Sequence, residues 1–226
     1  MKTACVHFDG CNFNCLGCIR KKDCYDIHLR NKDEPKNKTQ RLSLARVLKI
    51  LTTLKAEKVI LMGGEPTIDL EILKLTEILR ALGIYTYLLT NGYILSDELI
   101  QSINEICISI KACSNDLHKK FTGKSNIRVL KNFECAYNSK ALLRAESILI
   151  PDMIDAEEIE KIAKFISSID ANIPYHIDAY LPVNDLWRAP TIDEMKNAVD
   201  RARKCLKNVT CFYGNEKLSY KVINVI

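Results

Sequence analysis

The sequence lacks the segments that would carry a chain into or across a membrane. No stretch approaches the roughly 18 consecutive apolar residues that a transmembrane helix needs. The start, MKTACVHFDG, has no apolar core long enough for a signal peptide. Internal repeats and low-complexity tracts are also absent. We therefore expect a soluble, cytoplasmic protein that has no membrane partner.

A strong excess of one charge is missing as well. The chain has 33 basic and 28 acidic side chains, a net charge of +5. This excess is too small to call for nucleic acid, and it suits an anionic small molecule or an acidic partner surface. Hydrophobic residues make up 47% of the 226 positions, an ordinary share for a globular protein. One domain spanning residues 1–226 is expected, because single α/β barrels commonly reach this length.

Cysteine is abundant, with 10 in the chain. A disulfide framework belongs to short exported domains, so metal or redox use is favoured for any closely spaced subset. Cys24 and Cys113 fall in predicted loops, where free thiols are favoured over a role in substrate handling. The scattered cysteines have apolar neighbours and are predicted to be small buried side chains: Cys5, Cys107, Cys135, Cys205 and Cys211.

Short apolar runs alternate with amphipathic stretches, which is typical of a parallel α/β fold. The predicted strands lie near residues 3–8, 58–62, 84–89, 106–111, 142–150 and 174–180, with a last strand near 208–212. The predicted helices cover residues 42–54, 69–82, 96–104, 126–138, 155–168 and 191–206. About six βα units are too few for an eight-fold barrel, so they indicate either an open partial barrel or a doubly wound sheet. Residues 19–40 are rich in Lys and Asn and predict a flexible loop or flap.

The strongest candidate for a metal site is a C-x3-C-x2-C segment directly after the first predicted strand. Its cysteines are Cys11, Cys15 and Cys18. This spacing lets one loop place three thiolates on three irons of a [4Fe–4S] cluster, which usually takes four cysteines. An iron without a protein ligand can bind a substrate, as the open position of a catalytic zinc does. Two alternatives stay open: a loop of free thiols, and a zinc site completed by Cys24.

Two further motifs end the second and third predicted strands, where ligand sites form in α/β folds. Residues 63–66 read Gly-Gly-Glu-Pro; the glycines allow a ligand to approach the backbone, and the extended Glu65 leaves acceptors for an ammonium group. Residues 90–92 read Thr-Asn-Gly, which in isolation is an ordinary turn. Ser109 and Lys111 end the fourth strand and Arg144 lies early in the fifth, each offering donors for a carboxylate or a ribose.

Taken together, these motifs resemble the radical S-adenosylmethionine (SAM) superfamily. The closest likeness is to activating enzymes of glycyl radical enzymes, of the pyruvate formate-lyase activating type. Residues 108–111 and 115–128 look like that family's fourth-strand segment and the loop after it, and Leu181-Pro182 near Trp187 is similar to its sixth-strand end. The resemblance implies a partial (β/α)6 barrel with an iron–sulfur cluster at its C-terminal mouth.

The resemblance also implies two cofactors, a [4Fe–4S] cluster on the three cysteines and SAM bound to its open iron. A one-electron donor such as flavodoxin or ferredoxin would reduce the cluster, and cleavage of SAM would give methionine and a 5′-deoxyadenosyl radical that abstracts hydrogen from a substrate. Gly63, Gly64 and Glu65 would meet the amino group of SAM. The full set of candidate SAM contacts is Gly63, Gly64, Glu65, Thr90, Asn91, Ser109, Lys111, Arg144 and Asn184.

The sequence departs from the family pattern in places. The residue before the third cysteine, aromatic in the family and flanking adenine, is Gly17 here. The acidic residues associated with a monovalent cation read Leu89 and Ser109, so that cation site is expected to be absent. The substrate stays open between a glycyl radical protein, a peptide and a small metabolite. A metal-binding or electron-transfer module without SAM chemistry is the alternative from another class.

Overall fold

The computed structural model describes residues 2–21, 41–139 and 141–214, in which seven parallel strands form one sheet. The strands are β1 Thr3–Phe8, β2 Lys58–Gly63, β3 Tyr85–Thr90, β4 Glu105–Ser109, β5 Leu142–Leu149, β6 Tyr175–Ala179 and β7 Val209–Phe212. Their spatial order follows the chain from β1 to β7 without a reversal. A doubly wound sheet reverses its strand order, so the structure is the expected partial barrel, open between β1 and β7 among the described strands.

Helices connect the strands: α1 Leu44–Thr53, α2 Ile72–Ala81, α3 Asp97–Ser102, α4 Asn115–Thr122, α5 Ile127–Tyr137, α6 Ala156–Ile169 and α7 Ile192–Arg203. Polar caps start several of them. The Asp155 carboxylate accepts two backbone N–H groups at the start of α6, and Thr191 forms a capping box with Glu194 at the start of α7. No helix in the described part of the chain has the length and apolar character needed to cross a membrane.

Helix α4 is the element that the sequence did not reveal. No helix was predicted between residues 112 and 125, where the resemblance implied a loop, but Asn115–Thr122 form a helix that ends at Gly123, whose φ is +81°. The helix escapes a periodicity analysis because it is only eight residues long and few of them are apolar. The predicted flap is not tested, because residues 22–40 lie outside the described residues.

The two faces of the sheet differ in burial. Along β3, Thr86, Leu88 and Thr90 are buried, whereas the residues between them are partly exposed. The buried face packs on the helices and contains the aliphatic core, including Leu61 and Ile108. In a barrel the helices lie outside, so the partly exposed face is the concave interior, and it is open to a ligand.

Candidate functional site

The three cysteines lie in a loop, residues 9–18, that leaves the C-terminal end of β1; we call it the cysteine loop. Two backbone hydrogen bonds of 2.9 Å fasten it to the end of α4: Asn14 N–H donates to Thr122 C=O, and Leu16 N–H donates to Phe121 C=O. The last carbonyls of a helix lack partners within the helix, so α4 has acceptors available for the loop. Asn184, after β6, donates from Nδ2 to Leu16 C=O at 2.9 Å.

Phe13 anchors the same loop from inside. Its buried ring packs edge-on against Tyr93 and His118, with centroids 5.5 and 5.4 Å apart. His118 is fully buried, and its Nδ1 donates to Lys124 C=O at 2.7 Å. Burial lowers the pKa of His118, so a neutral ring supports Phe13. The sequence analysis missed both residues, and Phe13 could have been suspected as the single aromatic between the first two cysteines.

The glycine pair at the end of β2 makes room for the cysteine loop. A methyl group on Gly64 would lie 1.9 Å from the carbonyl oxygen of Gly10, and one on Gly63 would lie 2.8 Å from Phe8 backbone atoms. Two hydrogen bonds of 2.8 Å use this proximity, from Gly64 N–H to Phe8 C=O and from Glu65 N–H to Gly10 C=O. The chain that closely approaches these glycines is therefore the protein's own backbone just before Cys11.

Glu65 is 1% exposed and joins the second motif to the third. Its Oε1 accepts hydrogen bonds from Thr67 N–H, Thr67 Oγ1 and Thr90 Oγ1 at 3.1, 2.7 and 2.6 Å, and its Oε2 accepts one from Asn91 N–H at 2.7 Å. The carboxylate expected to be free for an ammonium group is thus occupied by neutral donors. A SAM contact from Glu65 or Thr90 would have to come from the backbone.

Asn91 completes the connection to the cysteine loop. Its Nδ2 donates to Asn12 Oδ1 at 2.6 Å and lies 3.7 Å from Cys11 Sγ. Its Oδ1 accepts from Tyr93 N–H at 3.0 Å, which fixes the amide. The Asn91 side chain thus contacts the thiol of a predicted cluster ligand.

Ser109 is the last residue of β4, and Lys111 follows two residues later. The ammonium group of Lys111 donates to Ser109 Oγ. Burial raises the pKa of Cys15 to about 11, against the opposing effect of the Lys111 charge. Burial also raises the pKa of Glu146, which faces Lys111 as well. Lys111 therefore places a positive charge beside the cysteine loop.

The thiols themselves fit a cluster by their chemistry. Burial raises the pKa of Cys11, and the negative charges of Glu65 and Cys18 raise it further. Thiolates that disfavour one another's ionisation are stabilised by a cation held among them. Within the described residues, no three His, Cys, Asp or Glu side chains are placed to hold a metal ion, so the thiols would have to move together around it. The zinc alternative is not tested, because Cys24 lies outside the described residues.

Gly17, the departure noted in the sequence, has a steric reason. A methyl group there would lie 2.9 Å from the Tyr180 ring and 3.4 Å from the Phe121 ring. Both rings are buried and pack against Trp187, with centroids 6.2 and 6.1 Å away. Aromatic side chains from α4 and the segment after β6 thus occupy the space beside Gly17.

Arg144 lies apart from this site. Its Nε donates to Glu105 Oε1 at 2.5 Å, and the same carboxylate contacts Lys58 Nζ at 3.4 Å and Tyr85 OH at 3.1 Å. Lys58, Tyr85 and Glu105 are the first residues of β2, β3 and β4, at the opposite end of the sheet from the cysteine loop. The geometry gives Arg144 a structural ion pair, and we leave it out of the proposed site.

The other cysteines lie outside the cysteine loop. Cys107 is buried, as expected, and Cys5, Cys205 and Cys211 are partly buried. The expectation for Cys135 is wrong: it is exposed, because α5 turns Val129, Phe133 and Ala136 towards the sheet instead. Cys113 is half-buried, and burial raises the pKa of its thiol, which disfavours the thiolate.

A polar pair on the concave face of β6 also escaped the sequence analysis. His176 Nε2 lies 3.1 Å from Asp178 Oδ1, and His176 Nδ1 lies 2.7 Å from Thr210 Oγ1. Burial lowers the pKa of His176, but the hydrogen bond and charge of Asp178 outweigh it and the pKa is raised. The available signal was their alternation with the buried Tyr175, Ile177 and Ala179.

The chain is similar to known proteins. A model of the Radical SAM superfamily matches residues 5–166. A protein of Methanocaldococcus jannaschii, provisionally named a glycyl-radical enzyme activating enzyme, is 35% identical over 226 residues, covering 95% of this chain and 83% of that protein. The pyruvate formate-lyase-activating enzyme of Staphylococcus epidermidis is 31% identical over 130 residues, covering 50% of this chain and 52% of that enzyme.

A solved structure supports the fold. SuiB of Streptococcus suis bound to S-adenosylmethionine superposes with a TM-score of 0.69, over 93% of this chain and 50% of SuiB. At 14% identity this likeness concerns the architecture alone. The superfamily match, in contrast, spans the cysteine loop, both glycine-containing motifs and the end of β4.

Proposed function

The chain is an enzyme of the radical SAM superfamily, and on that premise we propose that it activates a glycyl radical protein, using a [4Fe–4S] cluster held by Cys11, Cys15 and Cys18. The names of its relatives support this choice of substrate, since they include activating enzymes. The open barrel supports it too, because a protein loop needs room to reach the concave face. We place the reaction in the cytoplasm, with flavodoxin or ferredoxin as the one-electron donor.

One observation carries the proposal: three motifs from separate strands interlock at one point. Glu65 is bonded to Thr90 and to the backbone of Asn91, and the Asn91 side chain is bonded to Asn12 in the cysteine loop. The backbone of residues 64–65 is bonded to that of residues 8–10. Such a constellation holds the cysteine loop in place at the C-terminal ends of the strands, where barrel enzymes build their active sites.

When bound, the cluster and SAM would supply the reductive radical chemistry by which hydrogen is abstracted from the substrate. The chain's own residues prepare the site. Cys11, Cys15 and Cys18 give three thiolate ligands, and their protons must leave when metal binds. Lys111 and Ser109 offer an ammonium and a hydroxyl group to a carboxylate. The buried ring of Phe13 excludes water from one side of the loop.

Anaerobic reconstitution tests the proposal. The chain is loaded with iron and sulfide, then given dithionite and SAM, and 5′-deoxyadenosine is measured. We expect C11A, C15A and C18A each to lose most bound iron and the product, because each removes one ligand. C135A is the matched control, an exposed cysteine on α5, and it should behave as the unaltered chain does. Unchanged iron content in the three loop variants would refute the ligand assignment.

The substrate class is tested separately with isotopes. A glycine-containing peptide carrying deuterium on the glycine α-carbon is added to the reconstituted enzyme. Transfer of deuterium into 5′-deoxyadenosine is expected if a glycine C–H is the hydrogen donor. If 5′-deoxyadenosine forms without deuterium, the enzyme cleaves SAM but does not take hydrogen from glycine. The hydrogen donor would then be another peptide position or a small metabolite.

A further inference from the structure

Helix α4 and the first part of α5 form a surface of one charge. Residues 117–131 contain five basic side chains and no acidic one, an excess equal to the net charge of +5 of the whole chain. We call this the basic surface; it consists of Lys119, Lys120, Lys124, Arg128 and Lys131. Since the rest of the chain is balanced, the positive charge of the protein is concentrated here.

The basic surface adjoins the cysteine loop directly. Lys119 and Lys120 are exposed on the last turn of α4, the turn whose Phe121 and Thr122 carbonyls accept the N–H groups of the loop. Lys124 and Arg128 lie over the ring of Tyr93, 5.1 and 5.4 Å from its centroid. Tyr93 in turn packs on Phe13 of the cysteine loop. The surface and the predicted cluster ligands are thus separated by one layer of residues.

These charges are largely free to meet a partner. In the part of the chain that the structure describes, the one ion pair on this surface joins Lys119 to the fully exposed Asp116 at 3.9 Å, a kind of pair that contributes little in water. Arg128 and Lys131 are exposed on the side of α5 opposite to Val129 and Phe133, which face the sheet. The α5 part of the basic surface therefore points outwards, away from the concave face where a substrate would enter.

We propose that the basic surface docks an acidic one-electron donor protein that reduces the cluster; this inference rests on the proposed function. Opposite charge steers such a partner into transient contact. One electron leaves the donor and enters the cluster, and no bond forms or breaks at this surface. A donor needs to come close to the cysteine loop without blocking the concave face, and the outward position meets both needs. The basic surface is confined to 15 residues of sequence. A surface of this extent fits the docking of a small protein better than the binding of a nucleic acid along its phosphate backbone.

The test compares flavodoxin with dithionite as the reductant, and charge reversals on the basic surface with charge reversals elsewhere on the chain. Reconstituted enzyme is titrated with an acidic flavodoxin, and the flavodoxin Kd is measured together with cluster reduction and 5′-deoxyadenosine formation. We expect K119E/K120E and R128E/K131E each to weaken flavodoxin binding by about tenfold or more, and to slow flavodoxin-driven turnover in parallel. With dithionite, a small reductant that needs no docking, product formation should be unchanged. Added salt should weaken binding to the unaltered enzyme.

The control variant is K204E/K207E, with the same charge change at two exposed lysines between α7 and β7, at the other end of the sheet. It should keep the original flavodoxin Kd. Equal flavodoxin affinities in all three variants would overturn the docking proposal. So would a result in which the variants of the basic surface lose binding of a short RNA while they keep their flavodoxin binding. No product with dithionite from the unaltered enzyme would instead mean that the proposed function has failed.

Discussion

Glu65 and Glu105 are both buried carboxylates, 1% and 8% exposed, but they lie at opposite ends of the sheet and have different partners. Glu105 is paired with the cations Arg144 and Lys58. Glu65 is bonded to hydroxyl and amide donors only among the described residues. At the C-terminal end, Lys111 is bonded to the neutral Ser109 and faces Glu146, so its charge is not used to pair with Glu65. The comparison indicates that one end is built for stability and the other keeps charge available for a ligand.

The largest expected effect comes from Gly64→Ala. The new methyl group would overlap the Gly10 carbonyl, 1.9 Å away, so the cysteine loop has to shift. We expect the affinity for iron to fall about a hundredfold. Gly83→Ala is the control, because nothing lies within 4 Å of that position; it should cost about 1 kcal/mol of stability through its positive φ and leave iron binding intact. Full iron loading of the Gly64 variant would contradict the role given to this glycine.

Exchanging each carboxylate for an amide separates the two ends. Glu65→Gln places an NH2 group opposite N–H and O–H donors that now bond to the carboxylate. We expect the free energy of unfolding to fall by about 2 kcal/mol and most of the SAM cleavage activity to be lost. Glu105→Gln should cost about 1 kcal/mol, because Arg144 is half exposed and solvent screens its charge. Activity per folded molecule should then be unchanged. Urea denaturation and 5′-deoxyadenosine assays measure both quantities, and equal activity losses would remove the distinction.

The smallest effect concerns the two lysines. Lys111→Met should weaken SAM binding by about tenfold, the loss expected for one charge-assisted hydrogen bond, with little change in stability. Lys58→Met removes a cation from Glu105 instead, so it should lower stability and leave the SAM Kd unchanged. Calorimetric titration of the reconstituted variants with SAM checks this pair. Equal SAM affinities would show that Lys111 does not contact the ligand.

The sequence predicted the strands and the motifs, because apolar periodicity and local spacing are properties of the chain itself. Periodicity left a partial barrel and a doubly wound sheet both open, and the family resemblance implied the barrel. The partners of individual polar groups were harder to predict. From the sequence alone, the Glu65 carboxylate could accept a hydrogen bond from an ammonium group. The structure shows that Thr90 and Asn91, at the end of the neighbouring strand, already donate hydrogen bonds to this carboxylate. Arg144 likewise found Glu105 across a strand pair. Such contacts depend on strand register, which short motifs do not encode.

The fastening of the cysteine loop has a consequence for biosynthesis. The loop ends at residue 18, but the carbonyls that hold it belong to residues 121 and 122, and the amide that completes the hold is at residue 184. Contacts this distant in sequence form only after the intervening chain has left the ribosome. The cysteine loop is translated before the segments that fasten it, so it takes its final shape only after they are made, and we expect iron to be inserted after residue 184 has been translated.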